Sequence, residues 1–206
     1  MSALPAASGQ LTGTELASVL LPQASFPAGF TLSPASEINS GDSLSTGPVT
    51  YDLSSISCAT FVQQLGNTGF GETAMASDSA AGQGQAYDQV IYQFATASAA
   101  SDFVAGISAL ASRCHSFTAS DNGTSGTFSF KASAGPAVGG HPSLELVQSG
   151  TLGGSPLVLD TLFSASGVDV FGGAMVGLGV SAPTSVAPET IVYYLMKRQQ
   201  AAAVLG

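Results

Sequence analysis

Two cysteines, two histidines and thirteen carboxylates are the side chains of this 206-residue chain best suited to covalent, proton-transfer or metal chemistry. A serine hydrolase would also need a nucleophile elbow of the form Gly-x-Ser-x-Gly, and none is present. His115 is expected to open a strand. His141 follows Gly139-Gly140 and precedes Pro142, which places it in a loop, where functional side chains concentrate. Asp160 lies within an apolar strand pattern and should point with Val158 and Leu162, toward a core or a cleft. Its alternative role is a charge that protects an edge strand from pairing. His141 and Asp160 are therefore the candidate ligand contacts. A zinc site needs three or four nitrogen, sulfur or oxygen ligands at suitable spacing, and calcium needs a local oxygen cluster. Neither pattern occurs, so no catalytic residue, metal or cofactor is expected. The glycines of Gly172-Gly173 and Gly177 to Gly179 match no phosphate-binding fingerprint and read as close backbone packing or a bulge.

The charge balance narrows the partners. Net charge is −9, and the basic residues are Arg113, Lys131, Lys197 and Arg198. Only the last two are adjacent, so the clustered cations that phosphate backbones require are missing. Nucleic acid and anionic membrane surfaces are poor partners on that ground, and no nucleic acid is expected. Charged residues make up 8% of the chain, against about 25% in ordinary soluble domains, so Ser, Thr, Gly and Gln must supply the polar surface. The 45% hydrophobic share is ample for a core. No run of about 18 apolar residues occurs. Met1-Ser2-Ala3-Leu4-Pro5 lacks the basic and apolar regions of a signal peptide. An exported protein would thus be represented by its mature chain with an added Met, and any membrane attachment would use an anchor absent from this sequence.

The elements that position these residues follow from periodicity. Residues 1–11 read as a flexible tether, and 12–206 as one α+β domain. Thr12 and Glu15 form a capping box before Leu16, Val19 and Leu20. Residues 33–48 are rich in Ser, Pro and Gly and read as a surface loop. Asp52 or Ser54 caps a helix whose apolar stripe is Cys58, Phe61, Val62 and Leu65, with Gly66 at its end. Residues 70–78 can form a strand. Tyr87 to Phe94 alternates as a strand with Val90, Tyr92 and Phe94 on one face. Thr96 or Ser98 caps a second helix with Phe103, Ile107, Leu110 and Cys114 on its stripe. An antiparallel meander follows: His115–Ala119, an Asp121-Asn122-Gly123 hairpin, then strands marked by Phe128 and Phe130, by Leu144 and Leu146, by Leu157 to Phe163 and by Val168 to Met175. Residues 179–187 form a linker. Pro188 and Glu189 open a last helix with Ile191, Val192, Leu195 and Met196 on its stripe, and Lys197 and Arg198 suit its negative end. The fold class is α+β: a twisted, mainly antiparallel sheet packed against two or three helices. The cysteines are either buried free thiols or a disulfide, and their places on core-facing helical stripes favour the bond.

Three stretches carry a likeness to a known group. They are Leu20-Leu21-Pro22 with Phe26-Pro27-Ala28-Gly29-Phe30, then Ile56-Ser57-Cys58-Ala59, then Val90-Ile91-Tyr92-Gln93-Phe94 followed by Ala99 through Phe103 and Arg113-Cys114. In these the chain resembles secreted and lipid-anchored actinobacterial proteins related to the extracellular sensor domain of actinobacterial serine/threonine kinases. The likeness is best over residues 50–115 and thin after 140. It implies an α+β fold with a cleft, a bond joining Cys58 to Cys114, and binding of an extracytoplasmic ligand. It departs from those domains in having one cysteine pair rather than two, and in having Ala111 where a Trp often stands. The function expected is a non-catalytic, sensor-like domain for a small molecule, lipid or cell-wall component, secreted or anchored at the outer face of the cytoplasmic membrane. The alternatives are a structural or interaction protein of the cell envelope and, behind it, a cryptic hydrolase built around His141. A cavity between sheet and helices would favour the first, a flat apolar patch the second, and a serine with a carboxylate beside His141 the third.

Overall fold

The computed structural model describes residues 10–39, 51–65, 69–121, 123–179 and 186–205. The first helix, α1 (Gly13–Val19), starts where the capping box predicts. The Glu15 amide donates to Thr12 Oγ1 at 3.2 Å, and the Thr12 amide donates back to the Glu15 carboxylate at 2.7 Å. Two short strands follow, β1 (Thr31–Leu32) and β2 (Ser36–Asn39). The second lies inside the stretch expected to be a loop. Both pair with β3 (Ala74–Gly82), end to end along its outer edge, and Pro34 stands at the break between them. Proline has no amide to give to a ladder, so edge pairing is interrupted there.

The helix carrying the first cysteine, α2 (Cys58–Gln64), begins later than expected. Ser57 is its N-cap and accepts from the Thr60 amide at 3.1 Å. Asp52 instead organises the turn before it, accepting from the Ser54 amide at 2.8 Å. Gly66, assigned to the helix end, lies outside the described residues, as do most of the expected tether, Asn122 of the hairpin turn and most of the 179–187 linker. Strand β4 (Gln85–Gln93) leads to α3 (Ala97–Ala111), whose N-cap is Thr96, accepting from the Ala99 amide at 3.1 Å. The meander is β5 (Phe117–Asp121), β6 (Thr124–Ala134), β7 (Ser143–Leu152), β8 (Ser155–Ser166) and β9 (Asp169–Leu178). His115 lies before β5, exposed in a bend, rather than opening a strand. The chain closes on α4 (Pro188–Leu205).

The nine strands form one open antiparallel sheet in the order β1-β3-β4-β9-β8-β7-β6-β5, with β2 also on β3. Hairpin neighbours account for most pairs. The exceptions are β1 and β2 on β3, and β4 with β9, which joins the first hairpin to the meander. Four α-helices are described rather than two or three. On one face α1 and α4 bury Leu16, Val19, Ile191 and Leu195 against Tyr87, Ile91 and Phe171. On the other, α2 and α3 bury Phe61, Phe103, Ile107 and Leu110 against Tyr92 and Phe163. Strand β4 thus buries apolar side chains on both faces, as a central strand does. Its even-numbered residues Val90 and Tyr92 meet α2 and α3, while its odd-numbered Tyr87 and Ile91 meet α1 and α4. Gly172 and Gly173 in β9 explain the glycine-rich stretch. A Cβ at Gly173 would come within 2.8 Å of the Pro188 carbonyl oxygen, and one at Gly172 within 2.6 Å of Val90 Cγ1. Side chains here would push the packed layers off both faces.

Two devices hold the helices in place. Cys58 and Cys114 form a disulfide with a Cα separation of 5.8 Å, tying the start of α2 to the segment after α3. Beside it the Arg113 guanidinium donates to the carbonyls of Ser54, Leu53 and Ile56 at 2.6, 2.7 and 3.0 Å. On the opposite face, buried glutamines of β4 carry the polar load. Gln89 accepts from the Leu21 amide at 2.8 Å and donates to its carbonyl at 3.0 Å. Gln93 accepts from the Leu11 amide at 2.8 Å and donates to Asp169 at 3.0 Å, and Gln199 of α4 donates to the other Asp169 oxygen at 2.6 Å. Arg198 does not serve the end of its own helix, which continues to Leu205. It reaches across to the carbonyls of Val19 and Ser18, the negative end of α1, at 2.6 and 2.8 Å. Lys197 lies over the Tyr193 ring, 5.5 Å from its centroid.

Candidate functional site

A cleft of about 420 Å³ opens on the α2 and α3 face of the sheet. That lies within the range of about 300–1,000 Å³ typical of small-molecule sites. The sheet register builds its floor. Ser79, Asp88, Ala174 and Thr161 stand side by side on β3, β4, β9 and β8, and all line the cleft. The neighbouring row is Ser77, Val90, Gly172 and Phe163. Val62 of α2 and Leu65, the residue that caps its C-terminus, lie above, and Ser33, Pro34 and Ser36 form a lip where the edge pairing of β3 is broken. Ala174 keeps the middle of the polar row low, so Asp88 and Thr161 flank a shallow trough.

Both flanking groups are unusual. Thr161 is 4% exposed, and its hydroxyl has no hydrogen-bond partner. A buried hydroxyl left unpaired costs about 1–3 kcal/mol, so native structures rarely keep one without a use. Burial pushes the Asp88 carboxyl above the usual carboxylate range, and a hydrogen bond from Ser79 opposes this only in part. Next to it in sequence, Gln89 donates to Asp78 on the other face of the sheet at 2.6 Å. Burial, against that bond and with the help of the nearby Asp88 charge, pushes Asp78 up to about 6. None of the four basic residues lines the cleft.

The residues singled out from the sequence lie elsewhere. Asp160 points with Leu162, as alternation requires, and that is the face of α1 and α4, opposite the cleft. Its strand is central, paired with both β7 and β9, so Asp160 is not an edge charge either. One of its carboxylate oxygens is buried without a partner, and burial, then the Glu145 charge, raises its pKa. His141 sits in a tight bridge with Val138, and its Nε2 lies 3.3 Å from the Ser166 hydroxyl. Ser166 is 4% exposed, which gives a nucleophile little access to substrate. Its register partner Asp169 uses its two carboxylate oxygens to accept from Gln93 and Gln199. The serine required of a hydrolase is present, while that carboxylate serves to dock α4. Among the described residues no three His, Cys, Asp or Glu side chains cluster as metal ligands.

Asp88 and Thr161 escaped the sequence reading because a polar residue in a strand usually faces solvent. A signal existed nonetheless: Asp88 shares its parity with Val90, Tyr92 and Phe94, the apolar face of the strand pattern.

No protein-family model matches the sequence, and no curated protein is significantly similar to it. Among solved structures, the extracellular domain of PknH from Mycobacterium tuberculosis superimposes with a TM-score of 0.62 at 12% sequence identity, over 93% of this chain and 97% of that one. The chain has the fold of that extracellular domain. An uncharacterized protein of Mycobacterium smegmatis, an Rv0999 ortholog, aligns over 97% of this chain and 98% of its own at 15% identity, with a TM-score of 0.46. The sensor-domain likeness read from residues 50–115 thus extends, as fold, across nearly the whole chain. No described helix is long and apolar enough to cross a membrane.

Proposed function

We propose that this chain is an extracytoplasmic, sensor-like binding domain that receives a small molecule with an apolar body in the cleft between α2 and the sheet, and that it has no catalytic role. The observation that carries the reading is the cleft itself, whose floor holds the Asp88 carboxyl and Thr161, a residue with a buried hydroxyl that has no hydrogen-bond partner. The disulfide suits an oxidising compartment, and the shared fold is that of an extracellular domain. Secretion, or attachment at the outer face of the membrane, belongs to the same proposal.

Native mass spectrometry of the chain exposed to a whole-cell organic extract tests it. The expected result is a discrete small-molecule adduct that disappears in Ala174→Leu, which fills the trough between Asp88 and Thr161. An adduct of equal intensity on both proteins would place the molecule elsewhere and dismiss the cleft. No adduct at all would move the assignment to a structural or interaction protein of the envelope.

A further inference from the structure

The cleft holds a half-buried acid with no basic residue to balance it. Asp88 stands on the floor with Ser79 as its hydrogen-bond partner, and its neighbours in the trough are the small Ala174 and the apolar Val90. The four basic side chains are all committed elsewhere or outside the cleft. Arg113 and Arg198 bind main-chain carbonyls, Lys197 covers Tyr193, and Lys131 is exposed on β6. Helix α2, which roofs the cleft, carries no charged residue. An isolated carboxylate in such surroundings is costly, and the cost is relieved by an opposite charge brought within hydrogen-bond reach. The chain's net charge of −9 acts in the same direction by drawing cations toward it.

Resting on the proposed binding role of this cleft, we infer that its ligand is an ammonium-bearing amphiphile, seated with its cationic nitrogen on Asp88 and its apolar body along the trough under α2. Strand β9 separates Asp88 from Thr161, and two strand spacings amount to about 10 Å. A second polar group at the far end of the ligand reaches Thr161, whose enclosed hydroxyl turns toward the trough to meet it and can donate or accept. An amino alcohol or amino amide on a medium-length hydrocarbon spacer has this form. An acyl carboxylate does not, because it would set one negative charge against another in a low-dielectric site.

Isothermal titration of the full chain with four probes of equal length tests the inference: octylammonium, octanol, octanoate and the terminal amino alcohol of octane. Octylammonium should bind roughly tenfold or more tightly than octanol, the gain of a charge-assisted over a neutral hydrogen bond, and octanoate should not bind. Asp88→Asn should remove that advantage and leave octanol unchanged. The amino alcohol should bind more tightly than octylammonium, and Thr161→Val should erase the difference. Equal binding of octanol and octylammonium, or tighter binding of octanoate, by the unaltered protein overturns the ammonium assignment while leaving the cleft a binding site. Failure of all four probes to bind overturns the cleft's binding role as well. The comparison on the unaltered protein is decisive even if Asp88→Asn proves unstable.

Discussion

Asp160 and Thr161 are neighbours in sequence that face opposite sides of one strand, and each has a buried oxygen without a hydrogen-bond partner. For Thr161 the setting points to a ligand, and this has a consequence for stability. Replacing an unpaired buried hydroxyl by a methyl group of similar shape relieves the desolvation of that oxygen. Thr161→Val should therefore raise the unfolding free energy by about 1 kcal/mol in urea denaturation while weakening the capture of polar-ended ligands. A loss of stability would show that the hydroxyl has a partner in solution and that no site is reserved for a ligand there. His141 and Asp160 stand out in the sequence because a histidine after two glycines and a lone carboxylate in an apolar strand are both local signals. What distinguishes Asp88 and Thr161 is that they sit two strands apart on the same row. Sequence carries no record of that row until β4 is known to pair with β9.

At the scale of elements, α2 has seven residues and cannot persist on propensity alone. It is held by the Cys58–Cys114 bond and by the Arg113 fork on the three carbonyls before it. The bond closes a loop with a sequence separation of 56, for which chain entropy contributes about 4 kcal/mol. The double variant Cys58→Ser, Cys114→Ser should lose about that amount in guanidinium denaturation, and reduction of the natural chain should reproduce it. Arg113→Ala should cost about 2 kcal/mol, since charge-assisted hydrogen bonds to otherwise unpaired carbonyls disappear. Because α2 roofs the cleft, Arg113→Ala should also weaken ligand capture without touching a ligand, and Arg113→Lys should restore little of it, as an ammonium cannot span three carbonyls. The helices and hairpins themselves were legible. Capping residues at Thr12 and Thr96, the stripe of α3 and glycine turns between adjacent strands are all local signals. The β2 strand was hidden because its hydrogen bonds come from β3, whereas its own composition of Ser and Pro neighbours reads as loop. Helix α2 starts later than its sequence suggests because Asp52, which has the right chemistry for a cap, spends it on the turn before Ser57.

The whole molecule combines a net charge of −9 with several carboxyls that the fold withdraws from water. Burial raises Asp78, Asp88, Asp160 and Asp169 above their ordinary range. Each such group is protonated in the folded chain over an interval where the unfolded chain has already released its proton. The folded state therefore binds more protons, and stability falls as pH rises through that interval. For Asp78 the window runs from the ordinary value of 3.8 to about 6. The exposed Glu15 and Asp52 are shifted the other way by hydrogen bonds from Thr12 and Ser54, so their contribution is lost only at still lower pH. The two sets together place the optimum on the acid side of neutrality, and the thermal midpoint should fall as pH rises through the Asp78 window, from 3.8 to about 6. Asp78→Asn separates this linkage from general charge repulsion. The amide keeps an oxygen to accept from Gln89 but cannot ionise, so the variant should be more stable than the natural chain above pH 7 by about 1 kcal/mol, after discounting for the solvent that reaches this half-buried group. Near pH 4 the two should be equal. Urea denaturation at pH 4, 6 and 8 decides the matter: a gain that is the same at all three values would assign the effect to packing, and one that grows through pH 6 would assign it to the proton on Asp78.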